Sequence, residues 1–113
     1  MRRALIFPTL LLIACSCAHR VSSARAHELV KDGARLVDVR SPEEFAAEHL
    51  EGAINIPVSE LDDRLKELEP KEQPVVVYCH SGIRSARAAN KLAAAGFTTV
   101  ADLGGMDNWK EAK

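Results

Sequence analysis

A short apolar run that leads through a polar turn into a helix is the strongest constraint on the fold of this chain. Residues 74–78 (PVVVY) are apolar and mostly β-branched, as in a strand buried on both faces of a parallel sheet. An alanine-rich segment follows and ends at Gly96, which predicts a helix. The turn after the strand therefore lies at the carboxyl end of a parallel sheet, where open α/β folds usually bind ligands.

The residues of this turn, 79–85 (CHSGIRS), can hold an anion beside a nucleophile. A helix N-terminus carries unpaired N–H groups and a positive partial charge, which favour a thiolate at Cys79. Gly82 gives the backbone freedom that a tight loop needs. The hydroxyl of Ser81 or Ser85 can donate to an anion.

Arg84 supports the same interpretation from its charge. A cation in the first helical turn opposes the helix dipole and costs roughly 0.3 to 1 kcal/mol, which predicts a negative group beside it. Arg87 and Lys91 extend a basic stripe along the helix from this point. The alternative is that Cys79 is a small core residue and Arg84 a solvated surface charge.

The pattern Cys79-x-x-Gly82-x-Arg84-Ser85 after a valine-rich strand resembles the active-site loop of single-domain rhodaneses, the thiosulfate and persulfide sulfurtransferases. Three further stretches resemble that family in order and spacing, namely 36–45 (LVDVRSPEEF), 49–57 (HLEGAINIP) and 104–109 (GGMDNW). The resemblance covers the chain from Val21 onward. Glu48 and Glu51 depart from it, because many relatives have Gly and Pro there.

The resemblance implies a sulfurtransferase that moves a sulfane sulfur from thiosulfate or a persulfide donor, through a Cys79 persulfide, to cyanide or a thiol acceptor. The loop residues His80, Ser81, Gly82, Ile83, Arg84 and Ser85 would cradle the sulfur, with Arg84 on the anionic end of the donor. Asp38 and Arg40 would shape the pocket rim, or else pair as structural charges. No cofactor and no metal are expected.

Two other classes of function stay open. Phosphatases and arsenate reductases of related loop design typically place five residues between Cys and Arg, whereas four, residues 80–83, stand here. A non-catalytic envelope module that binds a partner or carries persulfide is the other. A thiol oxidoreductase is disfavoured because no Cys-x-x-Cys pair is present.

Length and charge bound these choices. The 113 residues suffice for one domain, and the alternation of helices and short strands predicts a three-layer α/β domain with a small, mainly parallel sheet and helices on both faces. A net charge of −1, from 15 basic and 16 acidic residues, argues against nucleic acid as a partner. The cysteines lack metal-ligand spacing relative to the four histidines.

The first residues have the pattern of an export signal. A cationic start and an apolar run predict a signal peptide over residues 1–14, too short for a permanent membrane span. Residues 12–15 resemble a bacterial lipobox, which would make Cys15 the acylated first residue of the mature protein, with 15–20 as a tether and 21–113 as the domain. Ordinary cleavage near residues 16–18 is the alternative.

In either case the domain is expected to be exported to the periplasm or cell envelope, touching a membrane only through a lipid at Cys15. The domain then owns one cysteine, Cys79, and an unpaired thiol in an oxidising compartment favours a reactive role.

The remaining elements follow from capping residues and periodicity. Predicted helices begin after Ser23 and at Ser41, where Ser41 and Glu44 form a capping box. Another helix, capped by Ser59, carries a leucine stripe at 61, 65 and 68. Predicted strands cover 36–39, 53–56 and 98–101, a flexible turn covers 102–105, and a short helix holds Trp109 as a packing anchor. His49 is expected to be a structural hydrogen-bonding residue.

Overall fold

A parallel sheet forms the middle layer of the protein. The computed structural model describes residues 18–111, and the five strands found there run parallel in the order β1-β5-β4-β2-β3. These strands are β1 (Ala18–Arg20), β2 (Arg35–Asp38), β3 (Ile54–Asn55), β4 (Val75–Cys79) and β5 (Val100–Gly105). The α-helices are α1 (Ser23–Lys31), α2 (Pro42–Ala47) and α3 (Ile83–Ala94), and 3-10 helices cover Val58–Asp63, Leu65–Leu68 and Met106–Glu111.

β4 is the central strand, and all of its residues are buried. Because side chains alternate along a strand, Val75, Val77 and Cys79 join one apolar cluster and Val76 and Tyr78 join the other. The first cluster includes buried residues of α3 and of the 3-10 helices after β3, and the second includes buried residues of α1. The predicted three-layer fold with helices on both faces is confirmed, and the sheet is parallel throughout the described chain.

The predicted boundaries were wrong for the first and the last strand of the chain. Ala18–Arg20 is a strand rather than the end of a tether, because it pairs with β5. The predicted turn at 102–105 is the second half of β5, which carries an irregularity where Val77 pairs with Asp102 and Tyr78 with Gly104. One extra β5 residue is therefore accommodated there as a bulge beside the end of β4.

Helix starts were predicted with mixed success. The capping box of Ser41 and Glu44 is confirmed, whereas the cap of α1 is Ser22, whose Oγ accepts the Arg25 N–H, and not Ser23. The helix predicted after Ser59 is instead two short 3-10 helices without a side-chain cap. A helix of about this length is marginal by itself, so burial of the predicted leucines, completely at Leu61 and Leu68, decides the local geometry.

Two single-residue predictions are confirmed. The His49 Nδ1 atom lies 2.8 Å from the carbonyl oxygen of Phe45, to which it donates, so this side chain has a structural role. Trp109 packs on His27, with ring centroids 3.5 Å apart, and thereby holds the last 3-10 helix against α1.

The predicted signal peptide at 1–14, the acylated Cys15 and the tether residues up to 17 lie outside the described residues. No helix within residues 18–111 has the length and apolar character needed to cross a membrane.

The hydroxyl of Tyr78 satisfies a backbone group in the core. It accepts the N–H of Leu50 at 3.0 Å, and Tyr78 is completely buried. Burial also raises the pKa of Tyr78, because the phenolate would lose its hydration. The side chain therefore stays a neutral hydrogen-bonding partner.

The Tyr78→Phe variant is expected to unfold more easily, because it leaves the buried Leu50 N–H without an acceptor. A loss of about 1 to 3 kcal/mol is expected, measured by urea unfolding. Ser59→Ala, which removes an exposed hydroxyl, is the control and should differ from the parent by at most about 0.5 kcal/mol. Equal midpoints for Tyr78→Phe and the parent would show that this hydrogen bond contributes nothing.

Candidate active site

The sulfur of Cys79 sits where the central strand ends and α3 begins. Its Sγ accepts a hydrogen bond from the backbone N–H of Gly82 at 2.9 Å. Gly82 is the residue that precedes α3, and its φ of 99° is in the left-handed region, which a glycine adopts without strain. The turn thus aims an N–H of a helix N-terminus at the sulfur, a contact that a thiolate accepts more strongly than a thiol does.

The loop residues around Cys79 divide into exposed and supporting positions. His80 and Ser81 are exposed, and Ile83 is 71% exposed. Ser85 is completely buried, and its hydroxyl donates to the carbonyl oxygen of Gly82 at 3.1 Å. Ser85 therefore fixes the turn, while Ser81 is the loop hydroxyl that faces solvent.

Cys79 itself is completely buried. The loop covers it on the outside, and Gly105 of β5 lies opposite it in the sheet register. A β-carbon on Gly105 would come within 2.6 Å of the carbonyl oxygen of His80, so only glycine lets the loop lie this close. Gly105 therefore packs against the loop backbone, and Gly104 lies close to Gly82, so these two glycines form the inner wall on which the loop rests.

Arg84 has its negative partner within the protein. Its guanidinium donates to both carboxylate oxygens of Glu44, at 2.6 and 2.9 Å. The hydrogen bond from Arg84 is the largest cause that lowers the pKa of Glu44 to about 2, and the Ser41 N–H and hydroxyl act in the same direction. The negative group that the sequence predicted beside Arg84 is thus Glu44, the partner of Ser41 in the capping box of α2.

Asp38 and Arg40 form a buried ion pair. The Arg40 guanidinium and backbone N–H donate four hydrogen bonds to the Asp38 carboxylate at distances between 2.6 and 3.1 Å, and the guanidinium donates a fifth, of 2.6 Å, to the Glu48 carbonyl. The hydrogen bond to Asp38 raises the pKa of Arg40, although burial opposes it. Asp38 has no exposed surface, so its predicted place on the rim was wrong, and the structural alternative holds for it.

Arg40 retains a position near the site. It lines a cleft of about 270 Å³ together with Arg84 and with residues of the segments that follow β2 and β3. The hydrogen bond to Glu44 is the main cause that raises the pKa of Arg84, and the positive charge of Arg40 opposes it. The two cations therefore lie close enough to repel each other. This cleft lies beside the loop, and its walls combine the two arginines with apolar residues such as Val39 and Val58.

The basic stripe predicted along α3 is partly neutralised. Lys91 pairs with Asp62 at 2.7 Å, whereas Arg87 is exposed one turn beyond Arg84. In the part of the chain that the structure describes, no three His, Cys, Asp or Glu side chains are grouped closely enough to hold a metal ion.

Sequence reasoning missed two contributors to this site. Glu44 was assigned only to the capping box, because its pairing with Arg84 joins residues 40 positions apart. Arg20 was assigned to a tether, and its guanidinium instead lies against Gly104 and near Gly82. A cation at the carboxyl end of a strand was the one available signal for Arg20, and the strand itself was not predicted.

Comparisons with known proteins agree with this geometry. A protein-family model described as a rhodanese-like domain matches residues 22–112. The chain is 44% identical over 77 residues to the uncharacterized protein YqhL of Bacillus subtilis, a match that covers 67% of the chain and 60% of YqhL. It is 42% identical over 71 residues to thiosulfate sulfurtransferase PspE of Escherichia coli, covering 62% of the chain and 68% of PspE.

A solved structure extends the likeness to the fold. The structure of a human single-domain sulfurtransferase has a TM-score of 0.66 with this chain at 34% identity, covering 83% of this chain and 96% of the human one. The matched part of the chain spans less than two thirds of YqhL, and its likeness to PspE and to the human protein extends over more of their lengths.

The ion pair of Glu44 and Arg84 predicts a specific dependence of stability on pH. Because the pKa of Glu44 is lowered from 4.5 to about 2, the pair stabilises the fold above pH 4.5, and its contribution disappears as the pH falls towards 2. The effect is expected to stay below about 1 kcal/mol, since both side chains are about a third exposed and solvent screens them.

Glu44→Gln is expected to have a lower urea midpoint than the parent at pH 7 and the same midpoint near pH 2. Glutamine keeps an oxygen for the capping box, so the comparison isolates the charge. Glu43→Gln, on the exposed neighbour in the same helical turn, loses only its interaction with the helix dipole, so its midpoint at pH 7 should fall by less than that of Glu44→Gln. A midpoint difference that did not shrink in acid would contradict the assignment.

Proposed function

The chain belongs to the rhodanese-like domain family, and from this membership we propose that it is a sulfurtransferase in which Cys79 carries sulfur as a persulfide. The observation that carries the proposal is the 2.9 Å hydrogen bond from the Gly82 N–H to the Cys79 sulfur, at the end of the central strand. The likeness to PspE, which is named a thiosulfate sulfurtransferase, supports the same class of reaction.

The proposed reaction has two steps that share one sulfur atom. The Cys79 thiolate attacks the outer sulfur of thiosulfate, a new S–S bond forms, and sulfite leaves with the electrons of the broken S–S bond. A persulfide donor would react in the same way and release a thiolate. Cyanide or a thiolate then attacks the outer sulfur of the Cys79 persulfide, and the Cys79 thiolate is regenerated.

The described residues supply what these steps need. The persulfide sulfur is to be cradled by the N–H groups of residues 80–85, and Ser85 keeps the turn in shape through its bond to the Gly82 carbonyl. A nucleophile that already carries its negative charge requires no separate general base. No cofactor enters the scheme, because both bonds are made and broken at sulfur.

The loop length favours sulfur over phosphate. The residues between Cys79 and Arg84 number four, one fewer than in the phosphatase type of loop. Arg84 is also held by Glu44, so its guanidinium has less freedom to wrap a tetrahedral oxyanion. Both features favour a small sulfur donor as the substrate.

We further propose that the domain is exported and that Cys15 is acylated. The support is the lipobox-like residues 12–15 together with the position of β1, because cleavage after Ala18 would cut into a strand that pairs with β5. Processing before Cys15 would leave that strand whole. The cell envelope is then the compartment in which Cys79 works.

Incubation of the full chain with thiosulfate is expected to add one sulfur atom, which intact-protein mass spectrometry detects and which later addition of cyanide removes. Cys79→Ser is the control and should gain no sulfur that cyanide removes. A folded parent with a titratable Cys79 thiol and no adduct would contradict the proposal and favour the binding-module alternative. Turnover of an aryl phosphate that depends on Cys79 would favour the phosphatase alternative.

Acylation is tested in a bacterial host that processes lipoproteins. The parent chain is expected to incorporate labelled fatty acid and to sediment with membranes, whereas Cys15→Ser should do neither. Cys17→Ser is the matched control, because it removes the neighbouring thiol and leaves the lipobox-like residues intact. Equal labelling of the Cys15→Ser variant and the parent would overturn the lipid anchor.

A further inference from the structure

Arg20 lies beside the Cys79 loop although it belongs to the other end of the sequence. It is the last residue of β1 and pairs in register with Asp102 of β5, so it reaches the carboxyl edge of the sheet. A β-carbon on Gly104 would overlap the Arg20 guanidinium, and one on Gly82 would lie 3.7 Å from Arg20 Nη1. The guanidinium therefore lies across two glycines, one on the inner wall and one in the loop.

The charge of Arg20 is free to bind an anion, whereas the two other arginines beside the Cys79 loop are already paired with carboxylates. Arg84 is bound to Glu44, and Arg40 is bound to Asp38. Within residues 18–111, Arg20 forms no ion pair, and its side chain is exposed. Arg87 is also exposed but lies a helical turn further from the loop.

The guanidinium is also close enough to act on the reacting sulfur. Arg20 Nη1 approaches Gly82, and the N–H of Gly82 binds Cys79 Sγ. A β-carbon on Gly82 would lie 3.7 Å from Arg20 Nη1, and the Gly82 nitrogen lies 2.9 Å from Cys79 Sγ. The charge therefore lies within the Debye length of about 10 Å at 0.1 M salt from the sulfur, and it attracts an anion that approaches Cys79. Guanidinium groups bind oxyanions through two parallel N–H bonds, which also orients the ligand.

We propose that Arg20 binds the oxyanion end of the sulfur donor and directs its outer sulfur to Cys79. This inference rests on the proposed sulfurtransferase function and transfers to Arg20 the role that the sequence assigned to Arg84. The donor class it selects is a small oxyanion with a terminal sulfur, such as thiosulfate, in preference to a neutral persulfide. Arg20 lies before the segment that the family model matches, so the role belongs to this chain's own first strand.

The test measures two properties of Cys79 in the full chain, each resolved at Cys79 by peptide mass spectrometry. The first is the rate constant for sulfur uptake from thiosulfate. The second is the ratio of the alkylation rates by iodoacetate, an anion, and iodoacetamide, a neutral reagent of similar size. The ratio reports positive charge near the sulfur whether or not thiosulfate is a donor.

Arg20→Gln is expected to lower the rate of sulfur uptake by about tenfold at low salt and to lower the alkylation ratio by a similar factor. Added salt should reduce both differences, because it screens the charge. Arg20→Lys should keep part of the alkylation ratio and less of the uptake rate, since lysine keeps the charge and loses the planar fork. Lys31→Gln, which removes an exposed charge at the end of α1, should match the parent.

A double-mutant cycle separates position from charge. Gly104→Ala displaces the guanidinium without removing it, so it is expected to slow sulfur uptake more in the parent than in the Arg20→Gln background. Gly52→Ala is the matched control, because Gly52 has nearly the same φ, 82° against 80°, and open space around it.

The outcomes are distinguishable. If the parent takes up sulfur and Arg20→Gln equals it in rate, in alkylation ratio and in salt dependence, the role of Arg20 is overturned and the sulfurtransferase function stands. If the parent takes up no sulfur from thiosulfate but the ratio falls in Arg20→Gln, Arg20 attracts anions and the donor assignment fails. Equal ratios with no uptake would overturn both.

Discussion

The hydrogen bond from Gly82 to the Cys79 sulfur depends on nearly every layer of the protein. It forms only because β4 ends at Cys79 and α3 begins within four residues, and α3 stays in place because its buried face packs on β4. The left-handed φ of Gly82 then turns the N–H inwards. A loop anchored by a central strand and a helix holds the Cys79 sulfur in one place.

Charge around this loop is arranged so that the fold neutralises most of its own cations. The pair of Asp38 and Arg40 is buried and satisfies backbone groups, and the pair of Glu44 and Arg84 joins the start of α2 to the start of α3. The loss of hydration offsets much of the attraction in the buried pair, and solvent screens the partly exposed pair of Glu44 and Arg84, so each adds little net stability. The sheet edge therefore keeps its shape with little free charge, and one exposed cation there has a large relative effect on an approaching anion.

The sequence predicted the features that depend on neighbouring residues. The buried strand before Cys79, the capping box at Ser41 and the turn at Gly82 are encoded within a few positions, and each was found where expected. The features that failed depend on partners far along the chain. β1 exists only through β5, the Ser59 segment is shaped by burial of its leucines, and Asp38 is buried at the end of a strand that lies between β4 and β3.

The same distinction explains why the site residues were only partly predicted. Cys79 and its loop form one local motif, and the comparisons place the chain in the family that this motif indicated. Residues that set the charge around the motif come from α2 and β1, which meet the loop only in the folded protein.

Gly104 is a residue through which a distant element, β1, contacts the local Cys79 motif. It stands in β5 opposite Tyr78, immediately after the irregular register, and its missing side chain makes the space that the Arg20 guanidinium fills. From the sequence alone, a glycine at this position predicts a flexible turn. In the fold it allows an edge strand to bring a cation to the Cys79 loop, so the position of β1 in the sheet and the charge near Cys79 have one structural cause.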